Sequence, residues 1–248
     1  MSLYLVVALG AVIAGFVQGL SGFAFGLVAM SVWAWTVDPK IAAVLATFGA
    51  LTGQVIAAVT VRRGFDKRKL LPFVVGGLVG VPIGIWLLPR LDVALFKACL
   101  GGLLVPWCLA MLFARNLPRV TRGGRGADGI VGFFGGICGG VGGFSGPIPT
   151  LWCTLRGMER DAQRSVVQNF NLAMLAVAFS LQVGTGNVGV SMLPLLAIVA
   201  VCVLVPVLLG ARLYIGISDT TFRQIVLGLL TLSGVALLAS SLPVLWNR

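Results

Sequence analysis

The chain has 248 residues, of which 58% are hydrophobic and only 10% charged, with a net charge of +11. Soluble domains carry roughly 25% charged residues; here the mean hydropathy is +1.05 and apolar runs of helix length recur along the whole sequence, so no stretch reads as a soluble domain and the chain is an all-α polytopic membrane protein. Eighteen Lys and Arg against seven Asp and Glu would suggest nucleic acid in a soluble protein, but here the cations stand at segment ends, as the positive-inside rule requires, so the bilayer and not nucleic acid is the expected partner.

The first apolar segment runs from about Leu3 to Trp35 and is interrupted between Gly19 and Gly26. It lacks a basic start and a small-residue cleavage site, so it is not expected to be a cleaved signal peptide. The second segment covers about Ile41 to Val61, and a basic loop from Arg62 to Lys69 follows. The third covers about Leu70 to Leu88 and the fourth about Lys97 to Ala114. A basic linker then carries Arg115, Arg119, Arg122, Arg125 and Asp128. The fifth segment, about Gly129 to Leu155, holds five glycines and two prolines between Ile137 and Pro149. After a charged loop come the sixth (about Ser165 to Val183), the seventh (about Met192 to Leu213) and the eighth (about Arg223 to Leu242).

The two halves resemble each other. Gly15 to Gly19 matches Gly132 to Gly136, Thr47-Phe48 matches Asn169-Phe170, Leu71-Pro72 matches Leu193-Pro194, and Phe96-Lys97 matches Phe222-Arg223, all in order. The expected organisation is a first transmembrane repeat over residues 1–117, a basic cytoplasmic linker over 118–128 and a second repeat over 129–248. If all eight segments cross, the cations divide 10 to 8 between the two sides; if the first and fifth dip in and return, they divide 14 to 4. The second arrangement fits the positive-inside rule better. It leaves three crossings per half, hence two inverted four-segment repeats, each opening on a broken or re-entrant segment, as in alternating-access transporters.

Glycine and proline are costly inside helices, and unwound backbone at membrane depth is tolerated only where protein buries it or a water-filled cavity borders it. Single glycines such as Gly76, Gly77 and Gly80 read as close helix packing. The clusters at Gly19 to Gly26 and Ile137 to Pro149 read instead as a site, where helix N-termini meeting at the midplane hold an anion without a buried lysine. Ser145 is placed to cap the returning helix, with Pro147 or Pro149 in its first turn, and Ser21 serves similarly in the first half. The candidate binding residues are Ser21, Gly22, Phe23, Thr47, Gly142, Gly143, Ser145, Gly146, Asn169 and Asn171. Asn169 is favoured among the in-segment amides because it matches Thr47. Gln18, Gln54 and Gln168 are further polar residues within segments. Trp33, Trp35, Trp86, Trp152 and Trp246 read as interface anchors.

No metal site, cofactor or enzyme activity is expected. Histidine is absent, the five cysteines lie in apolar segments without CxxC spacing, no nucleotide-binding loop appears, and all seven carboxylates lie in or beside loops.

Gly140-Val141-Gly142-Gly143 with Pro149, and Ser21-Gly22-Phe23-Ala24-Phe25-Gly26 in the first half, resemble the motifs of the TauE/SafE family of membrane transporters. Phe144 stands for the family's third glycine and Ala24 for another. The resemblance implies a multi-pass protein of the cell (inner) membrane that exports a small anion, sulfite or an organosulfonate. An anion channel on the same scaffold and a membrane assembly partner without transport are the competing expectations.

Overall fold

The computed structural model describes residues 2–60, 64–113, 119–120, 123–213 and 219–246. Among them every regular element is a helix: α1 (Leu3–Ser21), α2 (Phe25–Trp33), α3 (Pro39–Thr60), α4 (Lys67–Leu87), α5 (Val93–Leu112), α6 (Gly124–Gly142), α7 (Pro147–Leu155), α8 (Arg160–Gly184), α9 (Leu193–Leu213) and α10 (Asp219–Trp246), with short 3-10 turns at Leu88–Arg90 and Val190–Met192. Among the described residues, seven helices are long and apolar enough to cross a membrane: α1, α3, α4, α5, α8, α9 and α10. In α6, nine of the 19 residues are glycine, which dilutes its hydropathy.

The loop carboxylates have a structural use. Asp38 accepts from the Lys40 amide at 2.9 Å, Asp66 from the Arg68 amide at 3.0 Å and Asp92 from the Leu95 amide at 2.8 Å. Each satisfies N–H groups that the first turn of a helix leaves unpaired, here of α3, α4 and α5. The Lys69 amide and then its ammonium hold the Asp66 carboxyl below its usual range, so this cap stays charged.

α2 folds back along α1. The Trp33 indole donates to the Val6 carbonyl at 3.2 Å, and Gly10 leaves room for the ring. α7 folds back along α6 in the same way, with the Trp152 indole on Asp128 at 2.7 Å and Arg156 on the same carboxylate at 3.2 Å. Trp33 is therefore no interface anchor: it is fully buried, because its indole locks this hairpin. Trp152 is half-buried, whereas Trp35, Trp86 and Trp246 are exposed as expected.

α4 packs along α6, α1 along α9 and α5 along α10, while α3 and α8 run between them in contact with each other. Exchanging α1–α5 for α6–α10 turns the α4–α6 contact into α9–α1 and the α3–α9 contact into α8–α4. α1 and α6 both have 19 residues, and α2 and α7 both have nine. Counting back from the end of each long helix pairs Gly15 with Gly136, not Gly132. Glycines recur every four residues there, so a slip of one turn matches almost equally well.

Residues 124–128, assigned to the linker, form the first turn of α6. Arg62, Arg63, Arg115, Arg122 and Arg248, which enter the charge count, lie outside the described residues.

Candidate functional site

Both interruptions are built alike. α1 ends at Gly22, whose φ of 82° is left-handed, with its amide on the Gln18 carbonyl at 2.7 Å. α6 ends at Gly143, φ 70°, with its amide on the Gly139 carbonyl at 2.9 Å. Only glycine adopts this conformation without strain, and it stops a helix while satisfying a terminal carbonyl. Ser21 Oγ then accepts from the Ala24 amide at 3.1 Å and more weakly from Phe23 at 3.4 Å, turning the chain into α2. In the second half the N-cap is Gly146, followed by Pro147 in the first turn of α7. Ser145 does not cap: its Oγ donates to Asn171 Oδ1 on α8 at 2.7 Å, because that buried acceptor lies within reach and the α7 amides do not claim it.

The two interruptions touch. The Gly143 carbonyl lies against Gly26, so closely that a methyl group there would collide with it, and Phe23 lies against Gly146. Each interruption also rests on the middle helix of the other half. The Gly22 Cα faces the Gln168 amide of α8; the Gly143 Cα faces the Ala46–Thr47 backbone of α3. Gln54 Nε2 donates to the Gly22 carbonyl at 2.5 Å, and Gln18 Nε2 to Ala50 at 2.9 Å, tying the first interruption to α3.

Several donors at this junction have no acceptor among the described residues. The backbone N–H groups of Phe144, Ser145 and Gly146 find none, nor do those of Phe25, Gly26 and Leu27 at the start of α2. No hydrogen bond from the NH2 groups of Asn171 and Gln168 is found among the described residues, and Gln18 Oε1, beside the first interruption, is a buried acceptor without a partner among them. Buried donors are almost always hydrogen-bonded, to protein or to ordered water. Pro147 and Pro149 have no N–H, so α7 offers fewer amides than α2. The buried polar side chains of the described residues are all neutral. The junction therefore presents donors without a full charge, which suits an oxyanion held by partial charges.

Of the ten expected binding residues, Gly22, Phe23, Gly142, Gly143, Ser145, Gly146 and Asn171 gather at this junction. Ser21 is exposed beside it and occupied with its turn. Thr47 contributes its backbone to the Gly143 contact, while its hydroxyl donates to Ala43 at 2.8 Å and accepts from Gln182 at 3.4 Å. Asn169 points elsewhere, donating to the Ser165 carbonyl at 2.8 Å and the Gly64 carbonyl at 3.1 Å. Residues two apart on a helix project some 200° apart, so Asn169 and Asn171 cannot both face the junction. Asn169→Ala is accordingly expected to leave the apparent substrate affinity within about twofold of wild type in a vesicle flux assay, while loosening the residue 64 loop by about 0.5–1.5 kcal/mol, as for a typical hydrogen bond.

Sequence reading missed Trp107. Its indole, on α5, donates to the Pro147 carbonyl at 2.7 Å and packs edge-on against Phe23 with ring centroids 5.9 Å apart, so it bridges both interruptions. The signal was its position: unlike the five tryptophans read as anchors, it stands mid-segment.

Residues 7–237, both halves and both interruptions included, match the family model described as Sulfite exporter TauE/SafE. A search of curated proteins found no match to the chain.

Proposed function

Because the chain belongs to the TauE/SafE sulfite exporter family, we propose that it is a secondary transporter that exports a small oxyanion, sulfite or an organosulfonate, across the cell (inner) membrane. In this reading the anion sits where the two interruptions meet. The free amides of 144–146 and of the α2 start, with the Asn171 and Gln168 side chains, take the place of its water. The observation that carries the reading is the contact between the two interruptions, Gly26 against the Gly143 carbonyl and Phe23 against Gly146, with the uncharged Asn171 and Gln168 side chains beside them. Helix N-termini and short amide side chains bind negative charge without the desolvation penalty of a buried lysine.

We read α1–α5 and α6–α10 as two repeats of opposite orientation, joined by the basic linker. Their exchangeable contacts and their matching 19- and nine-residue hairpins support this. α2, about 13 Å long at 1.5 Å per residue, is too short to cross and returns toward the side it came from. With the first hairpin of each half re-entrant, three helices per half cross, and the cations fall 14 to 4. Rocking of one repeat against the other would then expose the junction to either side in turn.

The test is ligand-dependent stability together with flux. Purified protein is heated with sulfite, sulfate, thiosulfate, sulfoacetate or small carboxylates, then reconstituted for efflux of the best stabiliser. A true substrate at a hundred times its Kd adds about 2.7 kcal/mol of apparent stability and shows saturable efflux. Absence of any stabilising anion, together with no efflux of sulfite or sulfonates, overturns the reading.

A further inference from the structure

Away from the junction, the structure holds a cavity of about 290 Å³ lined by Lys67, Arg68, Leu71, Pro72 and Arg125. It lies where the first turns of α4 and α6 come side by side, with the glycine at 129 seated under the Pro72 carbonyl. Three cations from two helices surround it, and none of their charged side-chain groups has a hydrogen-bond or ion-pair partner among the described residues. The neighbouring carboxylates are engaged: Asp66 caps α4 and pairs with Lys69 at 3.3 Å, and Asp128 holds Arg156 and the Trp152 indole. Like charges held together without a counterion repel one another, so the cavity favours an anion.

The fifth lining residue indicates which kind of anion. Leu71 is 62% exposed and opens a row on α4 that continues through Val75 and Val79, both also exposed, one turn apart along the helix. Basic head-level residues above a lipid-facing apolar row match an amphiphile, not a free ion. We propose that this cavity binds the phosphate headgroup of an anionic phospholipid, with an acyl chain lying along Leu71, Val75 and Val79. The charge count places Lys67, Arg68 and Arg125 on the cytoplasmic side, where basic pockets between helices meet anionic headgroups. α4 and α6 belong to different halves of the chain, so the lipid would bridge the two.

Native mass spectrometry of the full chain from mixed phosphatidylglycerol and phosphatidylcholine, with thermal unfolding in nanodiscs of either lipid, tests this. Wild type is expected to retain phosphatidylglycerol selectively and to unfold at higher temperature in its presence. Retention should fall roughly fivefold for each cation removed by Lys67→Gln, Arg68→Gln or Arg125→Gln, and on the order of a hundredfold for all three. Lys40→Gln with Arg90→Gln and Lys97→Gln, which removes three cations elsewhere, should leave it unchanged. Equal retention of both lipids by wild type overturns the proposal, whether or not the triple variant folds. Equal losses in the two triple variants, or the same protection from inorganic phosphate in phosphatidylcholine alone, also overturn it, the latter marking a soluble-anion site.

Discussion

Gly80→Val is expected to leave the chain in the membrane but to lower its thermal stability more than any other single substitution considered. Gly76, Gly80 and Gly84 of α4 face Gly129, Phe133 and Ile137 of α6 so closely that an added Cβ would strike a backbone carbonyl at each position, and Gly132, Gly136 and Gly140 meet α4 in the same manner. Membrane helices gain little from apolar burial against lipid and depend on such close backbone approach. A backbone carbonyl cannot swing aside like a side chain, so the helices must separate. The expected loss lies at or above the upper end of the about 1–3 kcal/mol that over-packing usually costs. Gly102→Ala on α5 is the internal control. It meets nothing within 4 Å and should be neutral or stabilising by about 0.5–1 kcal/mol, since alanine is the better helix former. Unfolding of the two variants in one detergent checks the contrast; equal loss in both would refute the packing account.

Asn171→Ala is expected to weaken anion binding by about 10- to 100-fold, the equivalent of one hydrogen bond to a charged group at about 1.5–3 kcal/mol. It removes the amide NH2 from the junction and strands the buried Ser145 hydroxyl, which now donates to Asn171 Oδ1. Asn171→Asp replaces the donor with a buried carboxylate. It keeps an acceptor for Ser145, but when ionised it offers no donor, brings a negative charge to the site and carries the desolvation cost of a buried charge. Binding should then fall further than in the alanine variant, and the unfolding temperature should fall as well. Efflux from vesicles and ligand-induced shifts in stability check both. Wild-type efflux by Asn171→Asp would place the anion elsewhere.

Much of the architecture was legible because its signals are local. Apolar runs marked the segments to within a few residues, and Gly-Phe and Gly-Gly clusters marked both interruptions, since only glycine takes the left-handed turn found at Gly22 and Gly143. Pro147 announced the start of α7 because its missing N–H is no loss there. Roles that depend on partners remote in sequence were less legible. Ser145 had the spacing of a cap, but Asn171 lay close enough to accept its hydrogen bond. Trp33 stood near a segment end as an anchor would, but the α1–α2 hairpin buried it against Val6.

By itself, the sequence determined that this is a helical multi-pass membrane protein of the TauE/SafE family with two glycine-marked interruptions, since hydropathy, glycine conformation and motif spacing act within one stretch of chain. The tertiary structure alone decided that the interruptions touch, that Asn171 and Gln168 face them while Asn169 turns to Gly64, and that Trp107 spans the pair. Which way an amide on a buried helix points is set by the rotation of that helix against its neighbours; α8 packs against α3 and α4, where Phe170 and Met174 seat on Gly77, far away in the chain.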